Sequence, residues 1–376
     1  MTQPKLLVVA DSFLPRWDGV ARVLKELLPL MSDSYEIHLA FPDYPGDRPD
    51  LAGVHYVTFP LLPLLRAGDV RWGVPLRSRV RREVGWADLV WTHTVGPLGG
   101  AFLREAVKTN TPVVSMVHSV EWEVYARHAW FGERLVEWLW RRTALARYSR
   151  AQLVLTPSST TAATLRDKGL ERPVSLAPLG VCPKQFKPLS PDQKARQRAA
   201  LGLRHDLPIV GFLGRFGPEK SLETLLAAHK KAQKHCPSQL LLVGGSPKQL
   251  PGHSHTSLVS VVGPTETPER YYQVMDLYCL TSLTESFPLG ILEAMACGVA
   301  PVSTPVGAVP SYLVSGVNGV LVPKRDIDAL TEVLVELSQD RPKRESMGTK
   351  ARETVKEGLS WEKAALHIGE QLRKVL

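Results

Sequence analysis

The 376-residue sequence predicts an α/β protein made of two successive, doubly wound parallel-sheet domains. Three observations carry that expectation. Short runs that are apolar almost throughout alternate with longer segments of helical period. The alternation stops in one proline-rich stretch and then resumes. With 44% hydrophobic and 22% charged residues, the chain can bury a sizeable core yet is long for one domain. Apolar runs of this kind suit strands buried on both faces of a parallel sheet, with the intervening helices as crossovers.

In chain order the first series of strands reads "KLLVVA", "YEIHLAF", "VHYVTFP", "ADLVWTH", "PVVSMVH", "AQLVLTP" and "VSLAPLG". Helix-length segments such as "GVARVLKELLPLM" and "GPLGGAFLREAVK" lie between most of them. The interruption is "LGVCPKQFKPLSPDQKARQRAALGL", where Pro183, Pro188 and Pro191 break both periods ahead of a short polar helix. The second series is "LPIVGFLGR", "QLLLVGG", "SLVSVVG", "DLYCLTS", "APVSTP" and "GVLVP". Residues 1–184 and 185–360 are thus read as two domains. Residues 361–376 form an amphipathic helix with no strand after it, a candidate to pack back across the junction. Open parallel sheets bind ligands beyond the carboxyl ends of their strands, so two of them facing each other would line a central cleft.

Composition narrows the function classes. No run of about 18 apolar residues exists, and the start "MTQPKLLVVADSF" lacks the charged lead and cleavage site of a signal peptide, so a cytoplasmic chain is expected. Cys182, Cys236, Cys279 and Cys297 are spaced too irregularly for a zinc set or a disulfide framework and read as buried free thiols. The 46 Lys and Arg against 37 Asp and Glu give +9, which favours an anionic partner. Arg66, Arg71, Arg77, Arg79, Arg81 and Arg82 cluster within one short stretch with Asp69, and Trp138 and Trp140 are interleaved with arginines in a second. With Trp72 and several leucines nearby, the first stretch could settle on an anionic bilayer; a solvated basic face is the plainer alternative.

Three loops carry candidate chemistry. In "ADSFLPRWDGVARVLKELL", Gly19 precedes an amphipathic helix whose free N–H groups could meet an anion, or it is a simple turn glycine. Neither a G-x-G-x-x-G nor a P-loop sequence occurs there. In "GFLGRFGPEKSLETLL", Lys220 stands near the positive end of a helix dipole, where a cation asks for an anion to offset it. Arg215 could add a bidentate fork to the same diphosphate; a solvated Lys220 and an Arg215 paired with Glu219 or Glu223 is the alternative. In "TESFPLGILEAMACG", Ser286 reads as the helix cap and Pro288 as its first turn, leaving the N–H groups of Leu289 and Gly290 toward a phosphate. Glu293 lies one turn further in and suits a neutral diol, while Glu285 outside the helix could reach hydroxyls beyond the phosphates. Otherwise Glu285 favours the dipole and Glu293 is a surface residue.

The spacing of Glu285 and Glu293 within "TESFPLGILEAMACGVAPVSTPVG", the upstream "GFLGRFGPEKSLETLL" and the early "FLPRWDGVARVLKELL" together resemble the large retaining glycosyltransferase family 4, glycosyl transferases group 1, with the GT-B fold. The resemblance runs over nearly the whole chain and is nearest to transferases that act on lipids. It implies two Rossmann-like domains facing a cleft, the first binding acceptor and the second a nucleotide-diphosphate sugar. It implies that Arg215 and Lys220 bind the diphosphate with Leu289 and Gly290, that Glu293 holds the ribose, that Glu285 holds sugar hydroxyls and that Phe287 sits beside the sugar. Gly263 and Pro264 match the base-binding loop, and His118, ending "PVVSMVH", matches a histidine near the donor sugar. Gly19 would leave room for phosphates. Many members carry paired glycines where this chain has Asp18 and Gly19, so Asp18 is a candidate contact to acceptor or sugar.

The implied reaction moves a hexose of mannose, glucose or galactose type to an acceptor hydroxyl with retention, without a cofactor or bound metal. A membrane lipid or polyprenyl-linked glycan is the expected acceptor, on the inner face of a cell membrane. A soluble acceptor, a sugar-nucleotide epimerase on the same fold and a nucleic-acid-binding protein are the alternatives; for the last, no binding module is present.

Overall fold

The apolar runs become parallel strands. The computed structural model describes residues 3–67, 70–120, 122, 132–250 and 258–376. Contacts divide the chain into two units, Met1–Leu179 with Trp361–Leu376, and Gly180–Ser360.

In the first unit the strands are β1 (Lys5–Val9), β2 (Glu36–Pro42), β3 (Val54–Phe59), β4 (Leu61–Ala67), β5 (Val70–Gly73), β6 (Leu89–Thr92), β7 (Val113–Met116), β8 (Leu153–Thr156) and β9 (Val174–Leu176). Seven of them make one sheet in the order β3-β2-β1-β6-β7-β8-β9. Val8 stands between Leu39 and Trp91, so the strand order reverses beside β1. The described helices are α1 (Gly19–Met31), α2 (Arg77–Trp86), α3 (Pro97–Thr109), α4 (Glu133–Tyr148) and α5 (Ser159–Asp167). Phe102, Leu103 and Ala106 of α3 pack on Leu7, Val90 and Val113 with no exposed surface. That dry interface is why these strands are apolar on consecutive residues. The antiparallel pair β4-β5, which stands outside this sheet, is not expected from the sequence.

In the second unit β10 (Ile209–Leu213), β11 (Gln239–Val243), β12 (Val259–Val262), β13 (Leu277–Leu280), β14 (Ala300–Ser303) and β15 (Val320–Leu321) form a sheet in the order β12-β11-β10-β13-β14-β15. Gly211 of β10 pairs with Leu241 on one side and Tyr278 on the other. Its helices are α6 (Pro191–Ala200), α7 (Leu222–Ala232), the short α8 (Glu269–Tyr272), α9 (Leu289–Ala296), α10 (Ile327–Gln339) and α11 (Arg341–Gly358). The polar helix expected after the prolines is α6, which starts in a reciprocal box between Ser190 and Gln193 with Pro191 in its first turn. The last helix, α12 (Trp361–Arg373), returns to the first unit, where Tyr35 donates its hydroxyl hydrogen to the Gly369 carbonyl at 3.0 Å.

The thiols differ from the expectation in part. Cys279 and Cys297 are buried, and burial pushes each up to about 12, whereas Cys182 and Cys236 are partly exposed.

One buried charge cluster holds α6 to the second sheet. The Asp276 carboxylate accepts from Lys194 Nζ at 2.8 Å, Arg198 Nη2 at 2.6 Å and the Ile209 N–H at 2.8 Å. Burial alone would raise this carboxyl, but Lys194, Arg198 and the backbone N–H outweigh it and hold it below the usual value. Removing the carboxylate leaves two cations against the sheet edge. Asp276→Ala is expected to cost about 3–5 kcal/mol, read as a lower midpoint in denaturant unfolding. A change within about 0.5 kcal/mol would show that the cluster is not structural.

Candidate functional site

Both sheets bring their polar loops to the carboxyl edge on either side of the strand-order reversal, which is where open α/β sheets bind ligands.

In the second unit these are the loops after β10 and β13. The Thr281 hydroxyl donates to the carbonyls of Lys220 and Ser221 at 2.9 and 3.1 Å, and the Leu283 N–H to the Glu219 carbonyl at 2.8 Å. Lys220 ends a 3-10 turn over Pro218–Lys220, and Ser221 behind it is left-handed at φ 49°. A buried non-glycine residue in that region costs of order 1 kcal/mol and is held only where its surroundings over-determine it. Here that backbone directs Lys220 Nζ to Glu285 Oε1 at 2.5 Å, and Ser282 Oγ donates to the same oxygen at 2.7 Å. Lys220 is therefore not a solvated lysine. Arg215 is exposed and makes no ion pair among the described residues, and Glu223 instead accepts from Ser221 Oγ at 2.8 Å.

Helix α9 starts later than the cap reading expects. Its N-cap is Pro288, with no side-chain cap bond. The Ser286 carbonyl is taken by the Ala308 N–H at 2.8 Å, which fixes residue 286 to the following loop instead of to the helix. Leu289 and Gly290 are the first two helical residues. Glu293 is only 1% exposed, which rules out the surface reading. The Phe287 ring lies 5.8 Å from that of Tyr312. Gly263 and Pro264 follow β12 at the surface, away from any strand pairing.

In the first unit Asp18 caps α1, its Oδ1 accepting the Ala21 N–H at 2.9 Å. Its Oδ2 accepts from Ser12 Oγ at 2.6 Å and pairs with Arg16. A Cβ added at Gly19 would meet nothing within 4 Å. His118 lies just beyond β7. Its Nε2 is 2.9 Å from Nδ1 of His93, which lies just beyond β6. Burial lowers His118 to about 4 and, with the neighbouring ring, lowers His93 well below 6.5, so both are neutral at pH 7. One proton then lies between them. His93 Nε2 is buried and has no hydrogen-bond partner among the described residues. A buried acceptor without a partner is tolerated better than a buried N–H without one, so the shared proton belongs on His93 Nδ1. His118 is thereby left with its own proton on Nδ1.

Sequence reasoning missed His93, although "ADLVWTH" ends a strand as "PVVSMVH" does. It also missed Asp11. This buried carboxyl is raised by burial, and it accepts from Thr94 Oγ1 at 2.6 Å and from the Leu98 and Gly99 N–H groups at 2.7 and 3.3 Å, tying the β1 loop to the start of α3.

The basic stretch is less free than its composition implies. Arg79 donates to the Thr58 carbonyl and lies over Phe59, Arg82 pairs with Glu83 at 2.8 Å and Arg81 reaches Glu105 at 3.5 Å. Arg77 is exposed, Trp72 stacks 6.2 Å from Trp140, and the Arg66 side chain lies outside the described residues. Among the described residues no three His, Cys, Asp or Glu side chains converge as a metal set would, and no helix is long and apolar enough to cross a membrane.

Residues 17–185 match the family model described as Glycosyltransferase Family 4, and residues 193–354 match Glycosyl transferases group 1. The chain belongs to glycosyltransferase family 4. The transferase is 25% identical, over 98% of each chain, to the GDP-mannose-dependent alpha-(1-6)-phosphatidylinositol monomannoside mannosyltransferase of Mycolicibacterium smegmatis. It is 27% identical to the GDP-mannose-dependent alpha-mannosyltransferase of Corynebacterium glutamicum, over 95% of this chain and 86% of that one. Sucrose-phosphate synthase of Thermosynechococcus elongatus superposes over 98% of each chain with a TM-score of 0.77 at 22% identity. That likeness is one of fold, and the fold is GT-B. The transferase is thus a hexosyltransferase built on two parallel-sheet units.

The two buried imidazoles give the enzyme an acid sensitivity. Their folded-state values lie below the free value of 6.5, so the unfolded chain binds more protons as pH falls. The stability they contribute is full above about pH 6.5 and declines as pH drops toward 4. The melting temperature is expected to fall over that window, and to fall less in the double variant His93→Gln, His118→Gln. Equal pH slopes in both proteins would show that the pair does not titrate in this way.

Proposed function

We propose that the transferase moves mannose from GDP-mannose to a hydroxyl of an anionic membrane lipid, with retention of anomeric configuration and without a bound metal. The observation that carries the donor half is the Lys220–Glu285 pair at the strand-order reversal of the second unit, with Arg215 in the same loop and without an ion pair among the described residues. Both relatives named above are called GDP-mannose-dependent, and one is named for a phosphatidylinositol-based acceptor, which supports the choice of donor and acceptor.

Each residue then has one task. Arg215 and Lys220 take the diphosphate with the Leu289 and Gly290 N–H groups, so the charge growing on the leaving phosphate meets fixed donors. Glu285, already bound by Lys220 and Ser282, offers its second oxygen to sugar hydroxyls, and Phe287 flanks the sugar. Glu293, one turn inside α9, takes the ribose diol, and Gly263 with Pro264 borders the base. In the first unit His118 keeps Nδ1–H as a donor for a ligand, and Gly19 leaves open space at the start of α1. The departing phosphate oxygen accepts the acceptor proton, so no protein base is needed. The two cations supply the charge stabilisation that a metal supplies elsewhere, and turnover is expected to survive EDTA.

Membrane attachment is better supported by α4 than by the arginines of α2. Leu135, Trp138 and Leu139 are 60%, 45% and 49% exposed and lie on one helical face, with the Arg142 guanidinium 5.6 Å from the Trp138 ring.

Incubation with GDP-mannose and a lipid extract is expected to release GDP and form a new glycolipid. Arg215→Ala and Glu285→Gln should each lower kcat/KM by roughly 100-fold to 1,000-fold. Turnover of no nucleotide sugar, with Glu293→Ala leaving nucleotide binding unaltered, would end the proposal. In sedimentation with anionic vesicles at low salt the enzyme should pellet, and Trp138→Ala with Leu139→Glu should leave it in the supernatant. Failure of the parent enzyme to pellet removes the membrane part alone.

A further inference from the structure

The first unit holds a cavity of about 310 Å³ lined by Pro15, Arg16, Tyr44, Pro45 and Arg71. It stands beyond the carboxyl ends of β1 and β2, which are neighbours in the sheet. We propose that this cavity is an anion subsite that takes the phosphate of the acceptor, a polyol carrying a phosphate mono- or diester, with Arg71 as its principal ligand.

Arg71 carries the argument. Its guanidinium has no ion-pair partner among the described residues, and its Nε is buried with no hydrogen bond. With no hydrogen bond or ion pair of its own among the described residues, the Arg71 side chain that lines the cavity keeps its donors for a ligand acceptor. The neighbouring arginines show the contrast. Arg48 is paired with Asp43 at 2.5 Å, Arg79 is spent on a backbone carbonyl, and Arg82 pairs with Glu83.

The backbone at Arg71 is fixed from below. Tyr44 is 6% exposed, and its hydroxyl donates to the Arg71 carbonyl at 2.6 Å and accepts the Arg71 N–H at 3.2 Å. A ligand that met this guanidinium would therefore order little backbone on binding. Arg16 forms another wall and is paired with Asp18, so Arg71 supplies the cation left for a ligand. A phosphate fits both the charge and the fork geometry of Arg71. A neutral sugar would leave that charge uncompensated.

The subsite is also on the reacting edge of its sheet. Asp18 caps α1 next to Gly19, and its carboxylate bears on the ionisation of both Tyr44 and His118. A phosphate seated at Arg71 would hold the remainder of a polyol on the side where Gly19 and His118 lie. The inference rests on the acceptor being bound by the first unit, as proposed above, and adds the chemistry that recognises it. Lipid headgroups and free polyol phosphates share that chemistry.

Titration calorimetry on the full chain at low salt separates the possibilities. The probes are inositol 1-phosphate with inositol as its neutral counterpart, and vesicles of phosphatidylinositol in phosphatidylcholine with pure phosphatidylcholine as theirs. Saturable binding is expected for at least one phosphate probe and for neither counterpart. Binding of the soluble probe assigns a free phosphate, and binding of the vesicles alone assigns a lipid headgroup. Arg71→Gln should weaken that binding at least tenfold with GDP binding kept, Arg71→Lys should weaken it less, and Arg104→Gln, which removes an exposed charge of the same unit, should change nothing. Equal loss in Arg71→Gln and Arg104→Gln, or no phosphate-dependent binding while GDP binds, overturns the subsite and leaves the donor reading standing. Circular dichroism of Arg71→Gln guards against misfolding, and Arg71→Lys binding as weakly as inositol would count against the subsite if Gln fails to fold.

Discussion

The reversal of strand order beside β1 and beside β10 is the constraint on which everything else rests. Crossovers run one way to one side of these strands and the other way to the other side, so the loops leaving them part and open a gap at the carboxyl edge. Helix N-termini, glycines and charged side chains can reach a ligand only in such a gap. In the second unit the gap collects Arg215, Lys220 and Glu285; in the first it collects Asp18, Gly19 and His93, with His118 one strand further along.

Within the second gap the Lys220–Glu285 pair alters how the two residues must be understood. Taken singly, the lysine is read from the sequence as a diphosphate ligand and the glutamate as a sugar ligand. Joined at 2.5 Å, they are a dipole whose positive end is already partly neutralised before any donor arrives. A partly buried pair of this sort is costly to break by removing one partner, since the other is left uncompensated. The pairing also prevents Glu285 from simply repelling a diphosphate, which a lone carboxylate at that position would do. Arg215, exposed and without such a partner, is left as the cation with its full charge available to an anion.

Much of this was legible in the sequence. All the apolar runs that predict strands form them, because parallel strands covered on both faces leave a signal in every residue. The β4-β5 pair did not show, since "LLPLLRAGDVRWG" has a proline inside the run and arginines where a sheet strand would alternate. The start of α9 was misplaced by two residues because capping rules weigh the Ser286 hydroxyl, whereas the Ser286 carbonyl is held by Ala308, a long-range contact that no local pattern reports. His93 and the pairing of Lys220 with Glu285 were hidden for the same reason: both are contacts between loops that follow different strands. The surplus of arginine was legible as a total, but its division into spent and unspent groups was not.

The glycines illustrate what side-chain packing can and cannot explain. A Cβ at Gly290 would lie 2.7 Å from the Tyr278 hydroxyl and 2.9 Å from that of Tyr272, and one at Gly307, which is left-handed at φ 53°, would lie 2.1 Å from the Ser286 carbonyl oxygen. The protein's own packing demands glycine at both positions. At Gly19 and Gly263 an added Cβ meets nothing within 4 Å, and neither residue has a backbone conformation that excludes other residues. Folding therefore gives no reason for a missing side chain at these two places. Both stand at the carboxyl edge, Gly19 at the start of α1 beyond β1 and Gly263 in the loop beyond β12, where there is room for a ligand. A substitution at Gly290 would thus be felt as a loss of fold, whereas the fold itself leaves room for one at Gly19.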